Sequence, residues 1–506
     1  MNTSTPPTTD RLVRDRLAKL EALRRAGVEP YAYRFPVTHR AVEAKTAFRD
    51  EGPAIRVALA GRLVGLRRMG RSTFAHLADQ SGRIQLYFQI DRLGVDTYER
   101  LELLDLGDWI GVEGELFRTK TGEITVRVDR YEVLAKSLRP LPIGKEEVDP
   151  VTGERRVHYE FSDREARLRL RYVDLAVHPE VREVFLRRTA IVRALREFLD
   201  SHGFVEVETP ILQPLYGGAR ARPFVTHLHT LDLPLYLRIA DELYLKRLIV
   251  GGFERVYEIG KDFRNEGMDR SHNPEFTMLE FYAAYWDYED VLAFTERLLP
   301  FVVERVTGSL RVPFGEHWLD FTPPYARLSY DEALRRWVGV DPRQASLEDL
   351  RQRLAEVDPD APPPATRPEV LDALFKAAVE PHLVQPTVIL DHPRALTPLA
   401  KPKRGDPWLA ERFELFVAGM ELINAYSELN DPIDQRARFE EQARARAAGD
   451  EEAHAIDEDF LRALEFGMPP TGGFGMGVDR LTMILANQAS IRDVILFPTV
   501  RPERHG

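Results

Sequence analysis

Residues 258–286 read EIGKDFRNEGMDRSHNPEFTMLEFYAAYW. The two ends of this stretch read as strands, and the polar, glycine-containing middle reads as the loop that joins them. An arginine and an acid emerging where two strands meet suit a triphosphate and its metal, because a guanidinium grips phosphate oxygens in a fork and a hard cation takes oxygen ligands. The expected partner of this hairpin lies near the C-terminus. There TGGFGMGVDRL, residues 471–481, runs from a glycine-rich strand through Asp479 and Arg480 into an apolar helix.

The bulk numbers frame these motifs. A chain of 506 residues with 44% hydrophobic content buries a large core and divides into two or three domains. Its net charge is -11, yet residues 1–140 carry 24 Lys and Arg against 19 Asp and Glu, a balance of +5 that leaves -16 for the remainder. The basic end suits a polyanion. With no cysteine there is no disulfide, thiolate nucleophile or cysteine zinc site, which fits a reducing compartment. The first sixteen residues, MNTSTPPTTDRLVRDR, lack the apolar core of a secretion signal. No apolar run is long enough to span a membrane, so a cytoplasmic location is expected.

Along the chain, residues 10–26 place Val13, Leu17 and Leu20 on one helical stripe, with Arg11, Arg14, Arg16, Lys19, Arg24 and Arg25 around it. That basic amphipathic helix fits either RNA contact or packing on its own domain. Five short alternating strands follow between Ala54 and Ser137, the pattern of a small Greek-key barrel of the OB type. Residues 139–163 hold prolines and charges without apolar periodicity and read as a linker. A long helix is expected from His178-Pro179 to Gly203, then a strand, VEVETPIL, and a further helix from Asp241 to Val250. Residues 341–369 read as a helix followed by the Pro-rich loop APPPATRPE. The stretch from Ala437 to Leu464 reads as one charged surface helix.

No Walker phosphate loop is present, and the late glycines do not match the dinucleotide fingerprint. Both common nucleotide folds are therefore disfavoured, and the alternative is an antiparallel sheet whose side chains supply the charge. Arg264 and Arg480 suit phosphate oxygens, Phe276 offers a face to a purine that a guanidinium can close from the other side, and His272 adds a phosphate contact. The segment 411–432, ERFELFVAGMELINAYSELNDP, supplies Glu414 and Glu421 for magnesium, then Asn424 and Glu428 in a dense polar run. His227 and His229 alternate on a strand, but two histidines without a third ligand point to ordinary residues.

Taken together, these stretches resemble the bacterial class II lysyl-tRNA synthetases over nearly the whole length. HGFVEVETP at 202–210, with Pro210, resembles the family's first motif; FRNEG at 263–267 with HNPEFTMLE at 272–280 resembles the second, and GFGMGVDRL at 473–481 the third. The resemblance implies an α+β chain with an N-terminal OB-fold β-barrel followed by a class II synthetase catalytic domain, an antiparallel β-sheet flanked by helices. Its expected segments are 1–53 as basic helix and lead-in, 54–140 as anticodon-binding barrel, 141–165 as linker and 166–506 as catalytic domain. The linker around Lys145 to Tyr159 is longer and more charged than the family pattern.

The same resemblance implies roles for residues. Arg264 meets the α-phosphate and the substrate carboxylate, Glu266 and Asn273 the adenine side, and His272 the outer phosphates, while Phe276 and Arg480 sandwich the ring. Glu414 and Glu421 match the magnesium ligands. Glu242 and Glu428 match the carboxylates that receive the lysine ammonium, with Tyr282 and Asn424 alongside and Gly218 and Glu280 about the α-amino group. Phe74, Gln85 and Glu123 match anticodon-contacting positions in the barrel. ATP, L-lysine and tRNA(Lys) are the implied partners, with a homodimer as the assembly and no membrane. The sister enzymes for aspartate and asparagine share these motifs, but an aspartate pocket needs a cation where this chain offers glutamates. A descendant that modifies a protein lysine, or one that only binds nucleic acid, is the reading from another class; measurable adenylate formation separates an enzyme from a binding module.

Overall fold

The computed structural model describes residues 7–143, 145–148, 155–158, 161–360, 364, 366–447 and 456–502, and the chain divides into two compact units, Met1–Val177 and His178–Gly506. In the first unit, strands β1 (Arg56–Met69), β2 (Ser72–Ala78), β3 (Arg83–Gln89), β4 (Trp109–Arg118) and β5 (Ile124–Ala135) close a barrel in the order β1-β2-β3-β5-β4. Strict alternation along β2 and β3 sends Ala75, Leu77, Ile84, Leu86 and Phe88 inward, where they pack with Val57, Leu63, Ile110, Val112 and Val126. The long strand β4 can curve tightly over β5 because Gly114 has no side chain: a Cβ there would lie 2.1 Å from the Arg127 carbonyl oxygen.

Helix α1 (Pro7–Arg25) forms as expected, but its buried stripe differs from the apolar pattern. Leu17 is exposed, whereas Arg16 is buried and donates to the carbonyl oxygens of Leu106, Ser137 and Arg139 at 2.9, 3.0 and 3.2 Å. A guanidinium is tolerated there because three backbone acceptors replace the water it loses. Within the expected linker, Lys145–Val148 pairs antiparallel with Arg155–His158; residues 144, 149–154 and 159–160 lie outside the described residues, as do 361–363 and 365 of the Pro-rich loop.

The second unit opens with helix α2 (Pro179–Ser201), whose proline occupies the first turn, where a missing N–H costs nothing. Of the expected strand VEVETPIL, only β6 (Val205–Glu206) and the short pair Leu212–Gln213 are extended. Helix α3 (Glu242–Val250) then precedes β7 (Arg255–Phe263) and β8 (Glu275–Ala284), the two strands joined by the opening motif. After α4 (Tyr288–Thr307) come β9 (Ala326–Ser329), β10 (Thr387–Leu390), β11 (Arg412–Val417) and β12 (Met420–Ser427). Finally β13 (Thr471–Gly477) leads into helix α5 (Val478–Leu485). One sheet of eight strands results, in the order β9-β10-β11-β12-β13-β8-β7-β6. Its central pairs are antiparallel.

The helix expected from Ala437 to Leu464 is instead two helices, Pro432–Ala447 and Glu458–Glu465, with 448–455 outside the described residues. Asp457 starts the second helix by accepting the Phe460 N–H at 2.8 Å, and Phe439, Phe460, Leu461 and Leu464 are buried rather than on the surface. No described helix is long and apolar enough to cross a membrane.

The sheet has two chemically opposite faces, a consequence of the period of two along each strand. Tyr257, Leu279, Phe281, Ala283, Ile423, Ala425, Phe474 and Met476 point to one side, where they pack with Leu195 and Phe198 of α2 and Phe294 and Leu298 of α4. Phe281 stacks on Phe474 at 4.4 Å, and Phe294 meets Phe281 at 5.5 Å. Arg188 of α2 ties the helix to the sheet. It pairs with Asp479 of α5 at 2.5 Å and donates to the Thr277 hydroxyl at 2.9 Å, while Asp479 accepts the Thr277 N–H at 2.6 Å. Replacing Arg188 with Met leaves Asp479 buried without its cation. The expected cost is about 3 kcal/mol, read as a lower urea midpoint for the second unit, and an unchanged midpoint would remove this tie from the account.

Candidate active site

On the opposite face, cross-strand register assembles the chemistry in rows. Glu258 of β7 faces Glu280 of β8, Glu280 faces Gly475 of β13, and Gly475 faces Asn424 of β12, which in turn faces Glu414 of β11. The next row runs Tyr282, Gly473, Tyr426, Arg412. Alternate glycines on β13 therefore leave an open floor between two walls of charged and aromatic side chains, which the sequence hinted at only as a glycine-rich strand.

At one end lies the loop between β7 and β8. Arg264 sits with its guanidinium carbon 5.0 Å from the centre of the Phe276 ring and donates to the Ile239 carbonyl at 3.3 Å. Arg480, on the first turn of α5, meets His272 at 3.2 Å and lies 3.7 Å from Glu421. His272 is exposed and also meets Asp269 at 2.8 Å. Asn273 is buried and donates to the Glu275 carbonyl at 2.6 Å, while its own amide oxygen has no protein partner. Glu266 is exposed in the loop. Two cations, a ring and an unpartnered amide oxygen thus share one end of the floor, a set able to hold an anionic, ring-bearing group.

Glu414 and Glu421 lie on adjacent strands at the other wall. Burial raises both carboxyls above their ordinary range, and the charge of Glu414 raises Glu421 further. Arg412 opposes this at Glu414, with which it is hydrogen-bonded, and also donates to the Asn424 amide oxygen at 3.0 Å. Glu380 nearby is pushed up to about 8 by burial and by the same two acids. Two carboxylates on adjacent strands, Glu414 and Glu421, suit a hard dication that keeps several of its waters. Among the described residues, no group of three or more acids or histidines could hold a metal ion; His227 pairs with Asp232 at 3.1 Å.

The deepest part of the site is built by acids. Glu242 begins α3, and Glu428 follows β12; both are buried. Lys246, one turn after Glu242 and itself wholly buried, lies 2.5 Å from each of them. Glu280 accepts from the Tyr282 hydroxyl at 3.1 Å, and its carboxyl is held well above the ordinary range by burial, with the charges of Asp262 and Glu242 adding to it. Below this layer the buried Arg238 collects Glu258 at 2.6 Å, Asp241 at 2.8 Å and Asp262 at 3.3 Å. Gly218, with φ of +92°, passes over Glu242 where a Cβ would come 2.9 Å from the Ala240 methyl, so both its backbone angle and its surroundings require glycine. Lys246, Arg238 and Arg188 were missed by sequence reasoning, which takes buried cations for solvated ones; the i,i+4 spacing of Glu242 and Lys246 was the available signal.

In the barrel, Phe74 of β2 is half-buried and stacks on Tyr87 of β3 at 4.6 Å; Tyr87 meets Phe117 of β4 at 5.9 Å, and Arg127 covers Phe117 at 4.5 Å. Gln85 accepts from the Thr125 hydroxyl at 2.8 Å, and Glu123 is exposed at the turn before β5. Partly exposed rings beside a guanidinium form a surface on which nucleobases can stack.

Comparison with known proteins agrees with this architecture. Residues 163–501 match the family described as tRNA synthetases class II (D, K and N), and residues 57–134 match the OB-fold nucleic acid binding domain. A lysine–tRNA ligase of Moorella thermoacetica is 51% identical over 489 residues, spanning 96% of this chain and 97% of the relative. One of Christiangramia forsetii is 50% identical over 495 residues, spanning 96% of this chain and 85% of the relative. The chain belongs to the class II tRNA synthetases.

Burial pushes the Glu428 carboxyl up to about 8, with Lys246 opposing the rise and Glu242 reinforcing it. Infrared difference spectra of the wild type against Glu428→Gln should therefore show a protonated carboxyl band that is lost as pH rises through about 8. A band lost between about pH 4 and 5, the ordinary glutamate range, would contradict the described environment.

Proposed function

We propose that this chain is a lysine–tRNA ligase that activates L-lysine with ATP to lysyl-adenylate and pyrophosphate, then transfers lysine to the 3'-terminal adenosine of tRNA(Lys). The observation that carries the amino-acid assignment is the buried pair Glu242 and Glu428 at the bottom of the site, with the buried Tyr282 beside them and Asn424 in the neighbouring row of the same sheet. An ammonium removed from water needs compensating negative charge, and a site built from acids is left uncompensated when a neutral side chain enters. Glu280 and the backbone of Gly218 hold the α-amino group.

The lysine carboxylate attacks the α-phosphorus in line. The oxygen–phosphorus bond of the mixed anhydride forms as the bond from the α-phosphorus to the pyrophosphate oxygen breaks. Arg264 neutralises the α-phosphate and orients the carboxylate, and His272 and Arg480 meet the outer phosphates and the purine. Phe276 supports the ring, with Glu266 and Asn273 on its edge. In the second step a ribose hydroxyl of the tRNA attacks the lysyl carbonyl carbon, and AMP leaves. No protein nucleophile takes part, so rate enhancement rests on alignment and charge stabilisation. Glu414 and Glu421 would hold magnesium, which when bound neutralises phosphate charge. The barrel takes the anticodon through Phe74, Gln85 and Glu123. The enzyme acts as a homodimer in the cytoplasm.

Lysine-dependent exchange of labelled pyrophosphate into ATP, without tRNA, tests the first step. Arg264→Ala should lower its rate by about 10²–10³ with the fold intact, and near-normal exchange would end the proposed role. Phe74→Ala should leave exchange unchanged and weaken tRNA charging by about 1–3 kcal/mol, the value of one stacked base. Equal loss in both assays would reject the division of labour between barrel and sheet.

A further inference from the structure

Lys246 is a buried cation inside a pocket whose proposed ligand is also a cation. Its Nζ lies 2.5 Å from Glu242 Oε1 and 2.5 Å from Glu428 Oε2, so it takes one oxygen of each carboxylate. The other two oxygens face glycines. A Cβ on Gly218 would lie 3.7 Å from Glu242 Oε2, and one on Gly473 would lie 1.7 Å from Glu428 Oε1, which has no hydrogen-bond partner. The Tyr282 ring centre, 6.0 Å from Nζ, flanks the group.

We infer that Lys246 is a positioning residue for the amino-acid pocket: by holding one oxygen of Glu242 and one of Glu428, it favours the ionised form of both carboxylates and turns their remaining oxygens toward an incoming ammonium. This deepens the lysine reading and rests on it. With both carboxylates ionised, they and Lys246 sum to a single negative charge, which one ligand ammonium cancels. Without Lys246, two buried carboxylates would face each other, and one would take up a proton rather than remain charged. Glu242 and Glu428 are already raised by burial, and Lys246 opposes that rise in both. Burial alone would lower Lys246, but the two glutamates outweigh it and raise it. The other titratable groups facing this trio are Glu280 and Tyr282 on β8 and Tyr426 on β12, with Asp262 of β7 behind Glu280; none supplies a positive charge that could replace Lys246.

The test is the pH dependence of lysine-dependent pyrophosphate exchange in the wild type, Lys246→Met and the double variant Lys246→Met with Glu428→Gln. In Lys246→Met the KM for lysine at pH 7 should rise about tenfold or more, with the KM for ATP unchanged. The acidic limb of kcat/KM for lysine should move up by about one pH unit, the shift equivalent to tenfold. In the double variant Glu242 loses the cation that opposes its rise and still faces Glu280, so the limb should likewise lie above the wild-type position and the KM should stay high. A wild-type limb in Lys246→Met, whatever its KM, would make Lys246 a packing residue and overturn the inference. If that variant does not fold, the double variant decides, and a limb at or below the wild-type position overturns it. Absence of lysine exchange in the wild type would instead defeat the functional reading itself.

Discussion

Buried negative charge on one face of the sheet is the constraint from which the rest of this structure follows. Glu242, Glu258, Glu280, Glu428, Asp241 and Asp262 are all buried in one region. Carboxylates removed from water persist only beside cations or as protonated acids. Lys246 and Arg238 supply the cations, Lys246 between Glu242 of α3 and Glu428 after β12, and Arg238 among Asp241 before α3 and Glu258 and Asp262 of β7. The scaffold must hold these groups at fixed separations, and the apolar face of the same strands does so. Every residue that turns Glu280 or Tyr282 toward the site turns its neighbour, Leu279 or Phe281, into the core beneath α2 and α4.

The glycines of β13 belong to the same economy of space. Gly473 and Gly475 stand opposite Tyr282 and Glu280 on one side and Tyr426 and Asn424 on the other, so the middle strand adds backbone and no bulk. The amino-acid pocket and the Arg264–Phe276 end therefore share one floor. Asp479, two residues past this strand, is held by Arg188 and the Thr277 N–H, which fixes the helix that carries Arg480. Position of the arginine and openness of the floor come from one short segment.

Much of this was legible from residues alone because it follows local periodicity. The strand, loop and strand at 258–286, the glycine strand leading into a helix, the five barrel strands and the helix from Pro179 all emerged where the alternation of apolar residues placed them. What was not legible depends on partners distant in sequence. Arg16 is buried where Leu17 was expected, because acceptors on residues 106, 137 and 139 meet it. Lys246 reads as a surface lysine until Glu428, 182 positions later, closes on it at 2.5 Å. The charged stretch after Ala437 conceals Phe439 and Phe460, whose burial follows from packing with Leu243 and Leu245 of α3 rather than from its own composition.

If uncompensated buried acids set the choice of amino acid, the ammonium itself must be what the pocket requires. The direct measurement is pyrophosphate exchange with norleucine, which keeps the four side-chain carbons of lysine but carries a hydrogen in place of the ammonium, compared with lysine. The account predicts discrimination of about 10⁴ or more in kcat/KM, the scale on which a site built for a polar group rejects an analogue without it. Discrimination of only about 10–200-fold, the range that a hydrophobic pocket achieves by size, would contradict the claim that charge compensation organises this site.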